Sequence, residues 1–236
     1  MRIFNVFAIS ALLTLGACSG GNGVSDMIKK AEQGDAVAQL DYGRLLKTTG
    51  NGVEQDWKKA VDMLQLSSDN GNSDAQWELG LMYEYGNHVS EDQAKALELY
   101  RRSADSGSPI GLYLVAHCYQ HGIVVEEDHA ISDSLYAKSF DELMKLAPEE
   151  DIYVLNFVGS AYYWGDGVKT DREKAFGYYL TSAEKGNPET QCKIGNCYES
   201  GQGTAKDMDN ALLWYRKSAA QGYPDALKAL ERLGEK

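Results

Sequence analysis

The chain repeats a pattern of small and polar positions, set within segments whose apolar residues follow helical spacing. A small residue recurs at intervals of 36 residues or more, at Gly43, Gly80, Ala116, Gly159 and Gly195. A serine keeps the same intervals to within one residue, at Ser67, Ser103, Ser139, Ser182 and Ser218. The two series therefore mark two helices, A and B, of one repeating unit.

Each unit also contains a glycine that is followed six residues later by an aspartate. The pairs are Gly50 and Asp56, Gly86 and Asp92, Gly122 and Asp128, Gly165 and Asp171, and Gly201 and Asp207. Glycine can end a helix in the left-handed conformation, and aspartate can cap the next helix by accepting a hydrogen bond from a backbone N–H. We therefore predict that the glycine ends helix A and the aspartate begins helix B. A second small residue, four positions after each aspartate, is predicted to let the two helices approach closely.

The interval between units three and four is seven residues longer than its neighbours. Seven residues make about two helical turns, so the insertion between Phe140 and Ile152 is predicted to lengthen helix B of unit three or its outgoing loop. Residues 27–34 have the pattern of the end of a helix B, and residues 224–236 that of a lone helix A. The predicted units span about 35–71, 72–107, 108–150, 151–186 and 187–222, followed by a C-terminal cap at 223–236.

The unit resembles the Sel1-like repeat, a relative of the tetratricopeptide repeat with a longer inner loop. The matching residues include Leu79-Gly80, Val158-Gly159, Ile194-Gly195, Trp214-Tyr215 and the helix end from Ser218 to Gly222. The resemblance implies an all-α fold for residues 26–236, a right-handed solenoid of αα-hairpins with about five repeats and terminal capping helices. Composition agrees, because only 4 prolines stand against 24 glycines, which leaves long helices uninterrupted.

The first 17 residues have the pattern of a bacterial signal peptide. After Arg2, the apolar stretch from Ile3 to Leu15 would cover about 20 Å as a helix, less than the ~30 Å hydrocarbon core of a bilayer. The next residues, Gly16-Ala17-Cys18, complete a sequence that resembles a lipobox, the cleavage site of bacterial lipoproteins. The resemblance implies acyl chains on Cys18, and two or more chains hold a protein stably on a membrane.

Residues 18–25 are then predicted to be the lipidated cysteine and a flexible tether, since they are rich in glycine and serine. Ser19 follows the cysteine, and by analogy with other lipoproteins it favours the outer membrane. The expected location is the cell envelope, on the periplasmic leaflet of that membrane.

The charge balance is acidic, with 23 basic and 35 acidic residues and a net charge of −12. Such a surface repels phosphate backbones, and the sequence has no cluster of lysine or arginine that could neutralise several phosphates. Nucleic acid is therefore excluded as the expected partner.

Residues that could carry catalysis are few. Ser182 and Lys185 have the Ser-x-x-Lys spacing of penicillin-recognising enzymes, but they coincide with the ending of a repeat and lack the accompanying motifs. His117 and His121 could share a metal on one helix face, with Cys118 close by, but no third ligand is evident. We predict no catalytic residue, no metal site and no cofactor.

Partner recognition is expected on the first helices, which line the concave face in repeats of this type. Positions −3, +1 and +4 from the small residue of helix A share one helical face. The candidate partner-binding residues on this face are Trp77, Leu81, Tyr113, His117 and Tyr163. In the alternative interpretation, the aromatic residues at position −3 pack between neighbouring helices instead.

These features predict a membrane-anchored scaffold or adaptor that binds a protein or peptide in its concave groove. Two alternatives remain open. One is an immunity-type lipoprotein that neutralises a secreted effector, because some Sel1-like lipoproteins accompany such effectors. The other is a cell-wall or β-lactam hydrolase, which the missing catalytic motifs disfavour.

Overall fold

The computed structural model describes residues 22–48, 53–149 and 151–235. These residues contain twelve α-helices, α1 to α12, and a short 3-10 turn after α7. The helices are Asn22–Glu32, Ala36–Leu46, Trp57–Asp69, Ser73–Tyr85, Gln93–Asp105, Pro109–His121, His129–Leu146, Ile152–Trp164, Arg172–Glu184, Pro188–Ser200, Met208–Ala220 and Pro224–Arg232. Each helix packs mainly on the helices before and after it in the chain. This sequential packing is that of an all-α solenoid, which confirms the predicted fold class.

The helices form five A–B pairs, from α2 with α3 to α10 with α11, between the end helices α1 and α12. The seven-residue insertion lengthens α7 to 18 residues, whereas the other four B helices have 13. A 3-10 turn at Ala147–Glu149 then leads toward α8. The insertion therefore extends one helix and its exit, as its length predicts.

The predicted caps are present at both ends of the inner loops. Each of the five aspartates accepts a hydrogen bond from the backbone N–H three residues later, at 2.9–3.1 Å. Four of the glycines, Gly86, Gly122, Gly165 and Gly201, end their A helices with φ between 63° and 91°. Gly50 lies outside the described residues.

The N-terminal boundary of the solenoid needs a correction. Helix α1 begins at Asn22, so residues 22–25 are helical and do not belong to a flexible tether. Met27 and Ile28 pack against the cluster around Tyr42, which gives this helix a buried face to extend from. The predicted signal peptide and Cys18 lie outside the described residues. Within the described ranges, none of the helices has the length and apolar character needed to span a bilayer.

The small residue lies against helix B of the same repeat in the four A helices where it is a glycine. A Cβ added to Gly80, Gly159 or Gly195 would lie 2.4–2.6 Å from a ring carbon of a tyrosine on helix B. Those rings belong to Tyr100, Tyr179 and Tyr215, which are 0–2% exposed. The same Cβ on Gly80 would lie 3.3 Å from the carbonyl oxygen of Ala96. The predicted close approach is therefore confirmed there, and the tyrosine ring fills most of the space that the glycine leaves.

The recurring serine ties the end of helix B to the start of helix A. All five serines are fully buried, and each hydroxyl donates a hydrogen bond to the carbonyl of the first residue of its own A helix, at 2.6–2.8 Å. The acceptors are Ala36, Ser73, Pro109, Ile152 and Pro188. Because this carbonyl faces the end of helix B, the serine fixes the register of the antiparallel pair.

We predict that Gly159→Ala lowers the free energy of unfolding by about 1–3 kcal/mol, because the new methyl group would overlap the Tyr179 ring. Gly177→Ala in α9 is the matched control, since a Cβ there meets nothing within 4 Å. The control should raise the free energy of unfolding by about 0.5–1 kcal/mol through helix propensity. Urea denaturation of both variants measures the contrast, and equal effects would contradict the packing argument.

Candidate protein-binding groove

The A helices converge on one side of the solenoid, which we call the groove. Helix α4 contacts α6 directly. Side chains of α4 also meet those of α8, two repeats later, where the Trp77 ring lies 5.3 Å from Tyr153 and 5.9 Å from Phe157. The groove is therefore curved tightly enough for repeats that are not neighbours to touch.

Trp77 and Tyr113 close the middle of this groove. They are 2% and 7% exposed, and both contact Phe157 edge to face. The Tyr113 hydroxyl also donates a hydrogen bond to Asp166. This corrects the expectation that both aromatic side chains lie open to a partner, because they pack between helices instead. This burial agrees with the alternative interpretation, in which aromatic residues three positions before the small residue of helix A pack between neighbouring helices.

The other three predicted residues, Leu81, His117 and Tyr163, are half-buried. Leu81 packs at the edge of the central core, and the His117 ring lies 4.5 Å from that of His121. Tyr163 donates a hydrogen bond to Gln202 of the next repeat. Each of the three keeps part of its surface accessible, so their role in binding a partner stays a prediction.

An ion cluster holds the N-terminal part of the groove together. The Arg44 Nε and Lys47 Nζ each donate to one oxygen of the Glu78 carboxylate, both at 2.6 Å. The guanidinium of Arg44 also lies 4.5 Å from the centre of the Tyr153 ring. Burial acts to raise the pKa of Glu78, but the two cations outweigh it and hold that pKa below its usual value. Repeats one, two and four therefore meet at one charged site, whose role is structural.

Tyrosines of the B helices supply hydroxyl groups to the polar side chains of the groove. The Tyr215 hydroxyl lies 2.6 Å from both the Asn196 Oδ1 and the Glu199 Oε2 atoms. The Tyr179 hydroxyl donates to Ser160 Oγ at 3.0 Å, and Tyr100 donates to Glu84. Sequence analysis missed this set, although its signal was present: a tyrosine four residues after the small residue of helix B in four of the five repeats.

Ser182 and the three cysteines of the described residues are buried. Ser182 is fully buried and donates to the Ile152 carbonyl at 2.7 Å. Cys118, Cys192 and Cys197 are free and buried, and burial raises the pKa of each thiol to about 12, 12 and 11. The described residues contain no group of three histidine, cysteine or acidic side chains that could hold a metal ion.

A family model for the Sel1 repeat matches the chain at residues 36–72, 73–108, 109–137, 152–187 and 188–223. The chain belongs to the Sel1 repeat family. This repeat is a scaffold for protein–protein interaction. A comparison with curated proteins found no match.

Solved structures of other Sel1 repeat proteins are similar to this chain, and one of them supports the same fold. A putative Sel1 repeat protein from Klebsiella pneumoniae is 20% identical, with 90% of this chain covering 99% of that chain at a TM-score of 0.51. A Sel1 repeat protein from Oxalobacter formigenes is 28% identical, and 89% of this chain spans 59% of its length at a TM-score of 0.49.

The immunity protein Pa5087 from Pseudomonas aeruginosa is 22% identical at a TM-score of 0.45, with 81% of this chain covering 67% of that one. The term immunity describes the Pseudomonas protein. For this Sel1 repeat chain, an immunity role stays a prediction.

Asp41, beside the ion cluster, offers a test of groove electrostatics. Burial raises its pKa to about 6, with Arg44 opposing and Glu78 adding to the rise. The folded state therefore holds this proton more tightly than the unfolded state, so ionisation costs stability as the pH rises from about 4 to 6.

We predict that Asp41→Asn raises the free energy of unfolding by roughly 1–2 kcal/mol at pH 7, allowing for solvent screening. The gain should nearly disappear at about pH 3, where the wild-type carboxyl is mostly protonated in both the folded and unfolded states. Urea denaturation at both pH values measures it. A gain that does not depend on pH would assign the effect to packing instead of charge.

Proposed function

We propose that this protein is a lipid-anchored scaffold that faces the periplasm and binds a segment of a partner protein in its groove. One observation carries the proposal. The recurring residues build the solenoid through caps, serine hydrogen bonds and glycine–tyrosine packing, whereas the accessible groove positions differ from repeat to repeat. Leu81 and His117 occupy the same position of repeats two and three with different chemistry, and Tyr163 lies about one turn later on the same face of repeat four. Such variety is what selective recognition of one partner requires.

The anchor in this proposal is the acylated Cys18. Only residues 19–21 separate it from the first residue of α1. Since an extended chain covers at most about 3.6 Å per residue, the start of α1 would lie within roughly 15 Å of the lipidated cysteine. A groove held this close to the membrane would favour partners that are themselves part of the cell envelope.

We predict that Cys18→Ser, exported behind a signal peptide that is cleaved without lipidation, moves the protein from the membrane fraction to the soluble fraction, because the acylation site is lost. Fractionation after expression in a Gram-negative host, with metabolic labelling by a fatty-acid analogue, measures both location and acylation. Ser19→Ala is the matched control and should stay acylated and bound to the membrane. Membrane retention of Cys18→Ser without label would contradict the anchor while leaving the groove untested.

For the groove, we predict that a photo-crosslinking amino acid at His117 or Tyr163 captures a discrete protein partner in cells of the native organism. The same amino acid at Leu213 on α11, which is 46% exposed, is the control and should capture little. A second change, Leu81→Ala, should reduce the groove adduct severalfold, because it removes a neighbouring contact. Equal adducts at the groove and at Leu213, or adducts indifferent to Leu81→Ala, would overturn the proposal.

A further inference from the structure

Three consecutive repeats end their A helix with an aromatic ring. Tyr85 ends α4, His121 ends α6 and Trp164 ends α8. Each is followed by the left-handed glycine that caps its helix, with φ of 63°, 63° and 91°. Because the helix position and the cap are the same, the three rings occupy equivalent places one repeat apart. We call them the aromatic row.

The aromatic row is exposed, unlike most large aromatic residues of this chain. Tyr85 is 63% exposed, Trp164 is 69% exposed and His121 is also exposed. By contrast, Trp77 and Trp214 are only 2% and 7% exposed. Single exposed apolar side chains are common at protein surfaces, but three aromatic rings at the same place in consecutive repeats form a pattern.

The solenoid itself does not require aromatic rings at this position. The equivalent residue is Thr48 in repeat one and Ser200 in repeat five. Helix α10 ends at Ser200, and helix α2 ends at Leu46, two residues before Thr48. The row is thus confined to the three central repeats. Two of its rings border the groove, since His121 lies 4.5 Å from His117 and Trp164 lies 4.7 Å from Tyr163.

Negative charge surrounds both ends of the row. Glu84 directly precedes Tyr85, and Asp166 follows Trp164 by two residues. Partial burial of the Tyr85 hydroxyl raises its pKa, and the charges of Glu84, Glu189 and Asp225 raise it further, although 63% of the residue's surface is exposed. Glu189 and Asp225 form ion pairs with Lys193 and Lys228, so the negative charge left beside the row is that of Glu84 and Asp166, on a chain whose net charge is −12. A cation is the complementary occupant of such a place.

We propose that the aromatic row Tyr85–His121–Trp164 is a docking strip for an extended, arginine- or lysine-containing segment of a partner protein. The cationic side chains would stack on the tyrosine and tryptophan rings, while Glu84 and Asp166, which also accept hydrogen bonds from Tyr100 and Tyr113, would supply negative charge nearby. A spacing of one repeat between rings suits an extended segment that crosses the three repeats. The inference deepens the scaffold proposal and rests on it, since it names the chemistry of the partner.

The direct test uses a fluorescein-labelled peptide in which arginine alternates with serine, and the same peptide with glutamate in place of arginine. Fluorescence anisotropy with the full mature chain should show binding of the arginine peptide, weakened by added salt, and no binding of the glutamate peptide. Tyr85→Ala and Trp164→Ala should each weaken binding by about tenfold, as expected for the loss of an anchoring ring. Because both side chains are exposed, the variants should keep the circular dichroism and thermal midpoint of the wild type.

Two matched variants sharpen this test. Leu213→Ala removes an exposed apolar side chain from a B helix and should leave binding unchanged. Ser200→Trp adds a ring at the equivalent position of repeat five and should tighten binding of the arginine peptide severalfold. A gain of this kind is not expected from a residue whose role is only structural.

Several results would overturn the docking strip. One is equal binding of the glutamate and arginine peptides, and another is wild-type affinity in both Tyr85→Ala and Trp164→Ala. A third is quenching of Trp164 fluorescence by a chito-oligosaccharide but not by the arginine peptide. If crosslinks from His117 and Tyr163 persist in Tyr85→Ala and Trp164→Ala, the scaffold proposal still holds, but the aromatic row does not dock the partner. Loss of groove crosslinks alone, with peptide binding to the row intact, would instead contradict the groove.

Discussion

The contact between the small residue of helix A and the aromatic ring of helix B is the constraint on which the rest of the structure depends. A ring carbon would lie 2.6 Å from a Cβ at Gly159 or Gly195, so the two helices can pack at this distance only where helix A lacks a side chain. The buried serine hydrogen bond then fixes their register. Together they make repeats two, four and five rigid pairs. In repeat one, Leu64 takes the place of the ring beside Gly43, and stacking of the pairs produces the solenoid.

The same contact gives the groove part of its chemistry. Since the tyrosine ring passes beside the glycine, its hydroxyl emerges on the groove side and binds Ser160 in repeat four, or Asn196 and Glu199 in repeat five. Helix B therefore helps to position the polar groups of helix A, although it does not itself line the groove. Any partner would meet side chains that are already held in place, which reduces the entropy lost on binding.

Curvature decides which groove residues remain available. It brings α4 and α8 together through Trp77, Tyr153 and Phe157, and it sets Arg44 beside Tyr153. These contacts bury large aromatic side chains of the groove, which become part of the hydrophobic core. The accessible aromatic surface is left at the helix ends, where Tyr85 and Trp164 lie. Recognition would therefore use the edge of the groove more than its centre.

The sequence by itself determined the repeat, the helix caps, the elongated α7 and the serine positions, because all of these depend on local spacing and backbone chemistry. It did not determine which groove residues are buried. Trp77 and Tyr113 were predicted as partner contacts, yet both pack against Phe157. Their burial depends on the rotation between successive repeats, added up along the solenoid. This is a long-range property that no single repeat encodes. Only the tertiary structure decided it, by bringing non-neighbouring repeats into contact.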